Sequence, residues 1–204
     1  MKKTLNSKYG HCLGMASVAI EESAGRKEKV AYSFGSFASA VSYQSFTAFM
    51  LYFYVDVLKL PVLLASIGMG IYGLWNAVND PLAGHISDRT RTRWGRRIPY
   101  MVFGSLPLAI AYAFVWTPPL EDGAANPLGL FIYFVLIINV FDTLYTFVIL
   151  NWTALFPEMY PGLSERAEVS SYRQQLGVIG LIAGMAAPPI IYGSLGWGWL
   201  GLLI

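Results

Sequence analysis

Five stretches of about 20 residues run through this chain with almost no charge: 31–55, 62–86, 99–117, 128–152 and 169–192. A sixth begins at 197. A bilayer core about 30 Å thick needs helices of that length. In lipid a helix satisfies its own backbone donors and acceptors, which an irregular segment cannot do. Five such runs in 204 residues leave too little polar surface for a soluble globular domain, with 55% of residues hydrophobic and 13% charged. Mean hydropathy is +0.50. The sequence predicts an all-α membrane protein.

The bases set the expected orientation. Thirteen of the 14 Lys and Arg lie in residues 1–29, in the 89–97 loop, or at Arg166 and Arg173; Lys59 is the exception. The 117–128 connection carries Glu121 and Asp122 and no base. Excess Lys and Arg mark cytoplasmic segments, so residues 1–29 read as a cytoplasmic N-terminal tail and 30–204 as a transmembrane bundle. The apolar patch at 12–20 is too short and too interrupted for a signal peptide. Cys12 is the lone cysteine, and His11 and His85 have no companions at ligand spacing. No nucleophile stands beside a base, which argues against an enzyme.

Polar residues inside the spans carry the functional signal. The second span holds Tyr72, Asn76, Asn79 and Asp80, with Tyr72, Asn76 and Asp80 spaced as one helical stripe. Asp80 precedes Asp88 by eight residues, roughly 12 Å along the helix. A carboxylate there costs on the order of 2.5–3.5 kcal/mol, and a cation or proton relieves that cost. Pro81 also deprives the Ala77 carbonyl of its helical partner. The fourth span places Asn139, Asp142 and Thr146 on one face, with Asp142 near the membrane midplane. Asp142 is either a site acid or the partner of a base elsewhere. Asp80, Asn76 and Asp142 are the candidate cation or proton ligands. Tyr43 and Gln44 on the first span, with Tyr72, Asn139 and Arg173, are the candidate solute contacts. Arg173 either snorkels to the interface or turns inward as a donor for hydroxyl-rich or anionic solutes. Gly177, Gly180 and Gly184 form a close-packing face, and Pro188-Pro189 predicts a kink.

Asn79-Asp80-Pro81, Gly84, Asp88-Arg89-Thr90-Arg91, Arg93 and Gly95-Arg96-Arg97 complete a motif at the second inter-helix connection. It resembles the signature loop of the major facilitator superfamily, and its longer form resembles the glycoside–pentoside–hexuronide cation symporters, the melibiose permease group. The segments 52–58, 154–158 and 165–174 agree. The resemblance implies the N-terminal half of a 12-helix fold, six helices with the sixth, 197–204, truncated, and a C-terminal six-helix half missing from this chain. It implies secondary active symport of a sugar or glycoside by alternating access between the two halves. No cofactor is expected beyond a coupling Na+ or H+. The expected partners are a small-molecule solute, the bilayer of the cell membrane and the other half, and no nucleic acid. Gly84, Asp88, Arg89, Gly95, Arg96 and Arg97 would form the gating loop. Three acids of the group fall here on Ala40, Asn76 and Ile149, while Asp80 and Arg173 match its functional positions. Two other readings stay open: transport of a lysolipid, drug or organic anion, and a truncated product that does not transport.

The base asymmetry yields a topology test. A cysteine probe at Thr92 should resist an impermeant label added to intact cells, and one at Ala124 should react. Labelling at Thr92 would reverse the assigned orientation.

Overall fold

The computed structural model describes residues 25–120, 123–197 and 201. Among these it contains five α-helices: α1 (Arg26–Tyr52), α2 (Val62–Arg89), α3 (Ile98–Trp116), α4 (Pro127–Met159) and α5 (Leu163–Leu195). Residues 1–24 of the expected tail, and most of the expected sixth helix, lie outside the described residues.

Local chemistry places the ends. The Glu28 carboxylate reaches back to the Gly25 amide at 3.2 Å, so α1 starts at Arg26 rather than at 31. At its other end α1 widens into a turn over Phe53–Val57, with the Leu58 amide bonding the Phe53 carbonyl at 3.0 Å. Pro61, Pro99 and Pro127 stand at or just inside the starts of α2, α3 and α4, where a missing N–H is harmless. The Asn126 side chain caps α4 by accepting from the Gly129 amide at 2.9 Å. Helices α4 and α5 are longer than the runs read from the sequence, because α4 continues through 153–159, past Pro157 and Glu158, and α5 starts in the polar residues 163–168. α2 continues through Pro81, and α5 through Pro188 and Pro189.

Four of the helices, α2 to α5, are long and apolar enough to cross a membrane. The sequence reading counted α1 with them. Its serines, Tyr32, Tyr43, Gln44 and Thr47 dilute its apolar content. Several of its hydroxyls are nonetheless satisfied within the helix: Ser33 donates to the Lys29 carbonyl at 2.7 Å, Ser45 to Val41 at 2.8 Å and Thr47 to Tyr43 at 2.9 Å, while Tyr32 donates to the Trp152 carbonyl of α4. Large apolar side chains point outward along the bundle, with Leu74 75% and Leu106 68% exposed. On a water-soluble protein such a surface would aggregate; in a bilayer it faces hydrocarbon. The buried core is aromatic: Phe46, Tyr54, Trp116, Phe134 and Phe141 pack where α1, α3 and α4 meet.

α1 and α5 run side by side at backbone distance. A Cβ on Gly180 would stand 2.6 Å from the Phe37 carbonyl oxygen, and one on Gly184 would stand 2.7 Å from the Val41 oxygen. The two glycines, four apart, let the backbones touch, and Ser45 then donates across to the Gly184 carbonyl at 2.9 Å. Gly177 is looser, its virtual Cβ 3.9 Å from Ser36. At the end of the pair the Lys29 ammonium bonds Glu168 at 2.8 Å and lies 3.5 Å from Glu165. The Glu168 hydrogen bond raises the Lys29 pKa above its ordinary 10.5. That contribution to stability is complete below 10.5 and fades only as pH climbs through the raised value, so the ammonium stays charged at neutral pH.

Gly180→Leu or Gly184→Leu should separate α1 from α5 and destabilise the protein by about 1–3 kcal/mol, read as a fall of several degrees in melting temperature. Gly73→Leu, at an open position, is the matched control and should not destabilise it.

Candidate functional site

The face that α2 turns to α4 carries Tyr72, Asn76 and Asn79, at positions i, i+4 and i+7. All three donate to one carboxylate, Asp142 of α4. Tyr72 Oη lies 3.1 Å from Asp142 Oδ1. Asn76 Nδ2 bridges both oxygens at 3.1 and 3.3 Å, and Asn79 Nδ2 reaches Oδ2 at 3.1 Å. Asp142 is 3% exposed and Asn79 1%. No base pairs with Asp142 among the described residues. A buried carboxylate without a cation is tolerable here because both oxygens accept from oriented donors. One turn further along α4, Thr146 Oγ1 donates to Asp80 Oδ1 at 3.1 Å. Asp80 is otherwise exposed.

The stripe in the structure is therefore Tyr72–Asn76–Asn79, and Asp80 sits beside it on Thr146. Asn79 was absent from the candidate ligands. Its i+7 spacing from Tyr72 was a usable signal, outweighed by the charge on its neighbour. Chemically the cluster is a set of hard oxygens: two on Asp142, one or two on Asp80, the Thr146 and Tyr72 hydroxyls, and the amide carbonyl that each asparagine carries opposite its NH2. Oxygen sets of this kind suit a small hard cation, or a proton on one carboxylate.

The expected solute contacts divide. Arg173 lies inward of the Lys29 ion pair, with its guanidinium 4.5 Å from the Trp152 ring centre, 4.9 Å from Phe156 and 5.8 Å from Tyr32. Its Nε donates to Ser36 Oγ at 3.4 Å. Tyr43 stacks on Tyr145, with ring centres 5.1 Å apart. Gln44 is half-buried, its Cβ set against Gly184. Asn139 does not join Asp142. Its Nδ2 donates to the Val135 carbonyl of its own helix at 2.6 Å, and it borders a shallow groove with Trp75 and Thr143. A cavity of about 500 Å³ opens between α1, α3 and α4, with Ser39, Ser42, Ser105, Tyr112, Tyr145 and Trp152 in its wall.

At the helix ends the arginine loop closes on itself and on α4. Gly95 adopts φ +94°, a left-handed conformation that favours glycine. Thr92 Oγ1 donates to the Gly95 carbonyl at 2.6 Å. Arg97 spans two acids, 3.8 Å from Asp88 and 3.3 Å from Glu158, and Arg96 lies 3.4 Å from Glu158. These contacts tie α2, α3 and α4 together at one end. Gly84 has open space around it. Arg89 is exposed and forms no ion pair among the described residues.

Asp142→Ala leaves three donors facing an empty site. It should destabilise the protein by about 1–3 kcal/mol, because buried unpaired donors carry their full desolvation penalty. Asp142→Asn, which keeps the shape, should cost less. Equal melting temperatures for wild type and Asp142→Ala would show that the cluster is not formed in the membrane.

Comparison with known proteins places this geometry. Residues 31–202 match the family model described as MFS/sugar transport protein. An uncharacterized symporter of Synechocystis is 39% identical over 77% of this chain and 29% of its own length. The isoprimeverose transporter of Lactiplantibacillus pentosus is 25% identical over 87% of the chain and 36% of its own. The mouse sodium-dependent lysophosphatidylcholine symporter 1 is 33% identical over 81% of the chain and 31% of its own. The chain thus spans about a third of the length of the curated relatives it matches. The apolar helices and the family match over nearly the whole described region lead to one assignment: the chain belongs to the MFS/sugar transport protein family.

Proposed function

We propose that the full-length protein is a cation- or proton-coupled symporter of the cell membrane that moves a sugar or glycoside by alternating access, and that this chain supplies one wall of the transport path. The observation that carries the reading is the Asp142 cluster with Asp80 one turn away, two carboxylates inside the membrane-spanning helices with no base paired to either among the described residues. Such an arrangement gains most from a bound cation or proton. Asp80 is the open acid through which the ion enters, and Asp142 is the buried one that fixes the ligand geometry. Arg173, Tyr43, Gln44, Tyr72 and Asn139 are the solute-side residues. The Asp88–Arg97–Glu158 contacts form a latch at the cytoplasmic ends, broken and remade between states.

The isoprimeverose transporter supports a sugar, and the sodium-dependent lysophosphatidylcholine symporters support a second reading, a lysolipid as solute.

Asp80→Asn in the full-length protein should abolish ion-stimulated uptake while leaving downhill solute exchange measurable. Full ion-stimulated accumulation by that variant would reduce Asp80 to a structural residue. Asp88→Ala should slow uptake while solute binding persists, since the latch lies away from the solute residues; parallel loss of both would instead place Asp88 in the binding path.

A further inference from the structure

The loop between α2 and α3 divides its arginines into two groups. Arg96 and Arg97 are neutralised by Glu158 and Asp88. Arg89, Arg91 and Arg93 are exposed, and their side chains form no ion pair or hydrogen bond among the described residues. The backbone around them is nonetheless fixed. A turn closes from Thr92 to Gly95: the Gly95 amide donates to the Thr92 carbonyl at 3.1 Å, and the Trp94 amide to Thr92 Oγ1 at 3.3 Å. Arg93 and Trp94 are its two central residues. Thr90 Oγ1 and Tyr100 Oη meet at 2.6 Å and tie the segment before the turn to the start of α3.

Trp94 sets what the turn lies against. Its indole is 48% exposed and stacks on Phe103 of α3, with ring centres 5.7 Å apart and planes 13° from parallel. Phe103, Leu106, Ile110 and Phe114 continue along one face of α3, all of them exposed. That apolar stripe runs for roughly 16 Å at 1.5 Å per residue. An indole at the end of a hydrocarbon-facing stripe marks the headgroup layer, where its apolar body and its N–H are both served. Three unpaired guanidiniums beside it offer the fork geometry that fits a phosphate.

We propose that this loop and the adjoining face of α3 bind an anionic phospholipid of the surrounding bilayer. Its phosphate lies at Arg91 and Arg93, and an acyl chain follows Phe103, Leu106 and Ile110. Trp94 joins the two parts of the site. The lipid is a resident of the protein's boundary and is not carried. The proposal needs the membrane-spanning helices and does not depend on the identity of the solute.

The test counts lipids retained by the purified full-length protein in native mass spectrometry, with palmitoyl-oleoyl phosphatidylglycerol titrated against phosphatidylcholine of the same chains. An arginine near an anionic surface is worth about fivefold in affinity, so the wild type should favour phosphatidylglycerol about tenfold or more. Arg91→Gln with Arg93→Gln should cut that preference by about tenfold or more. Arg91→Lys with Arg93→Lys, which keeps both charges, should keep most of it. Arg26→Gln with Lys27→Gln removes two exposed bases at the start of α1 and should leave it unchanged. Neither glutamine pair removes a hydrogen bond or ion pair of the fold, so melting temperatures in phosphatidylcholine nanodiscs should match the wild type. Equal retention of the two lipids by the wild type, a preference that survives Arg91→Gln with Arg93→Gln, or an equal loss in the α1 pair overturns the proposal. Displacement of the lipid by inorganic phosphate at matched concentration also overturns it, because the site would then hold a free anion.

Discussion

A carboxylate buried between two membrane-spanning helices has to be satisfied by its neighbours, and Asp142 is satisfied by one face of α2. Three side chains at helical spacing donate to its two oxygens. That constraint fixes the rotation of α2 against α4, because a shift by one residue would turn Asn76 and Asn79 into lipid and leave the acid bare. With α2 held, Asp80 falls on Thr146, and the end of α2 delivers Asp88 to Arg97. The interior acid and the loop network are thus two ends of one rigid element.

A second, independent constraint joins α1 to α5. There the contact is steric: Gly180 and Gly184 bring the backbones together, and the Lys29–Glu168 pair closes the end. The Arg173 cage bridges the two pairings, since its aromatic faces come from α4 and α1 while the arginine belongs to α5. In the proposed reading, a solute held at Arg173 would touch both helix pairs, and an ion held at Asp142 and Asp80 would act on only one of them. That difference is a physical route by which ion and solute could influence each other: the ion sets α2 against α4, and α4 carries Trp152 to the arginine. Any such coupling is reciprocal in free energy.

The helices were legible because apolar runs of membrane length have few alternatives. Their ends were less so. The charged residues 26–29, the end of α4 around Glu158 and the polar start of α5 at 163–168 extend helices past the long apolar runs, and hydropathy is silent there. The role of α1 was legible from its motif context, although its serines lower its hydropathy; those serines hide their hydroxyls on their own carbonyls. In the acid cluster, Asp142, Asn76 and Tyr72 could be read from helical spacing. The partner could not, because which face of α2 meets α4 depends on packing. The charge on Asp80 outweighed the i+7 spacing of Asn79, one residue away, and a one-residue step is about 100° around a helix. Asn139 shares a helical face with Asp142 in the sequence, but its amide turns to the Val135 carbonyl of its own helix. Arg173 presented two orientations in the sequence, and only the positions of Trp152, Phe156 and Tyr32 decide between them.

The central claim is that the acids between α2 and α4 are where the coupling ion acts. Infrared difference spectroscopy of the full-length protein in lipid reports this directly, by following carboxyl bands as Na+ replaces K+ or as pH falls. The account predicts a carboxyl difference band on one of these changes in the wild type, and its loss when Asp80 and Asp142 are both replaced by asparagine. A spectrum in which no carboxyl group responds, or in which the response survives that double replacement, would contradict it.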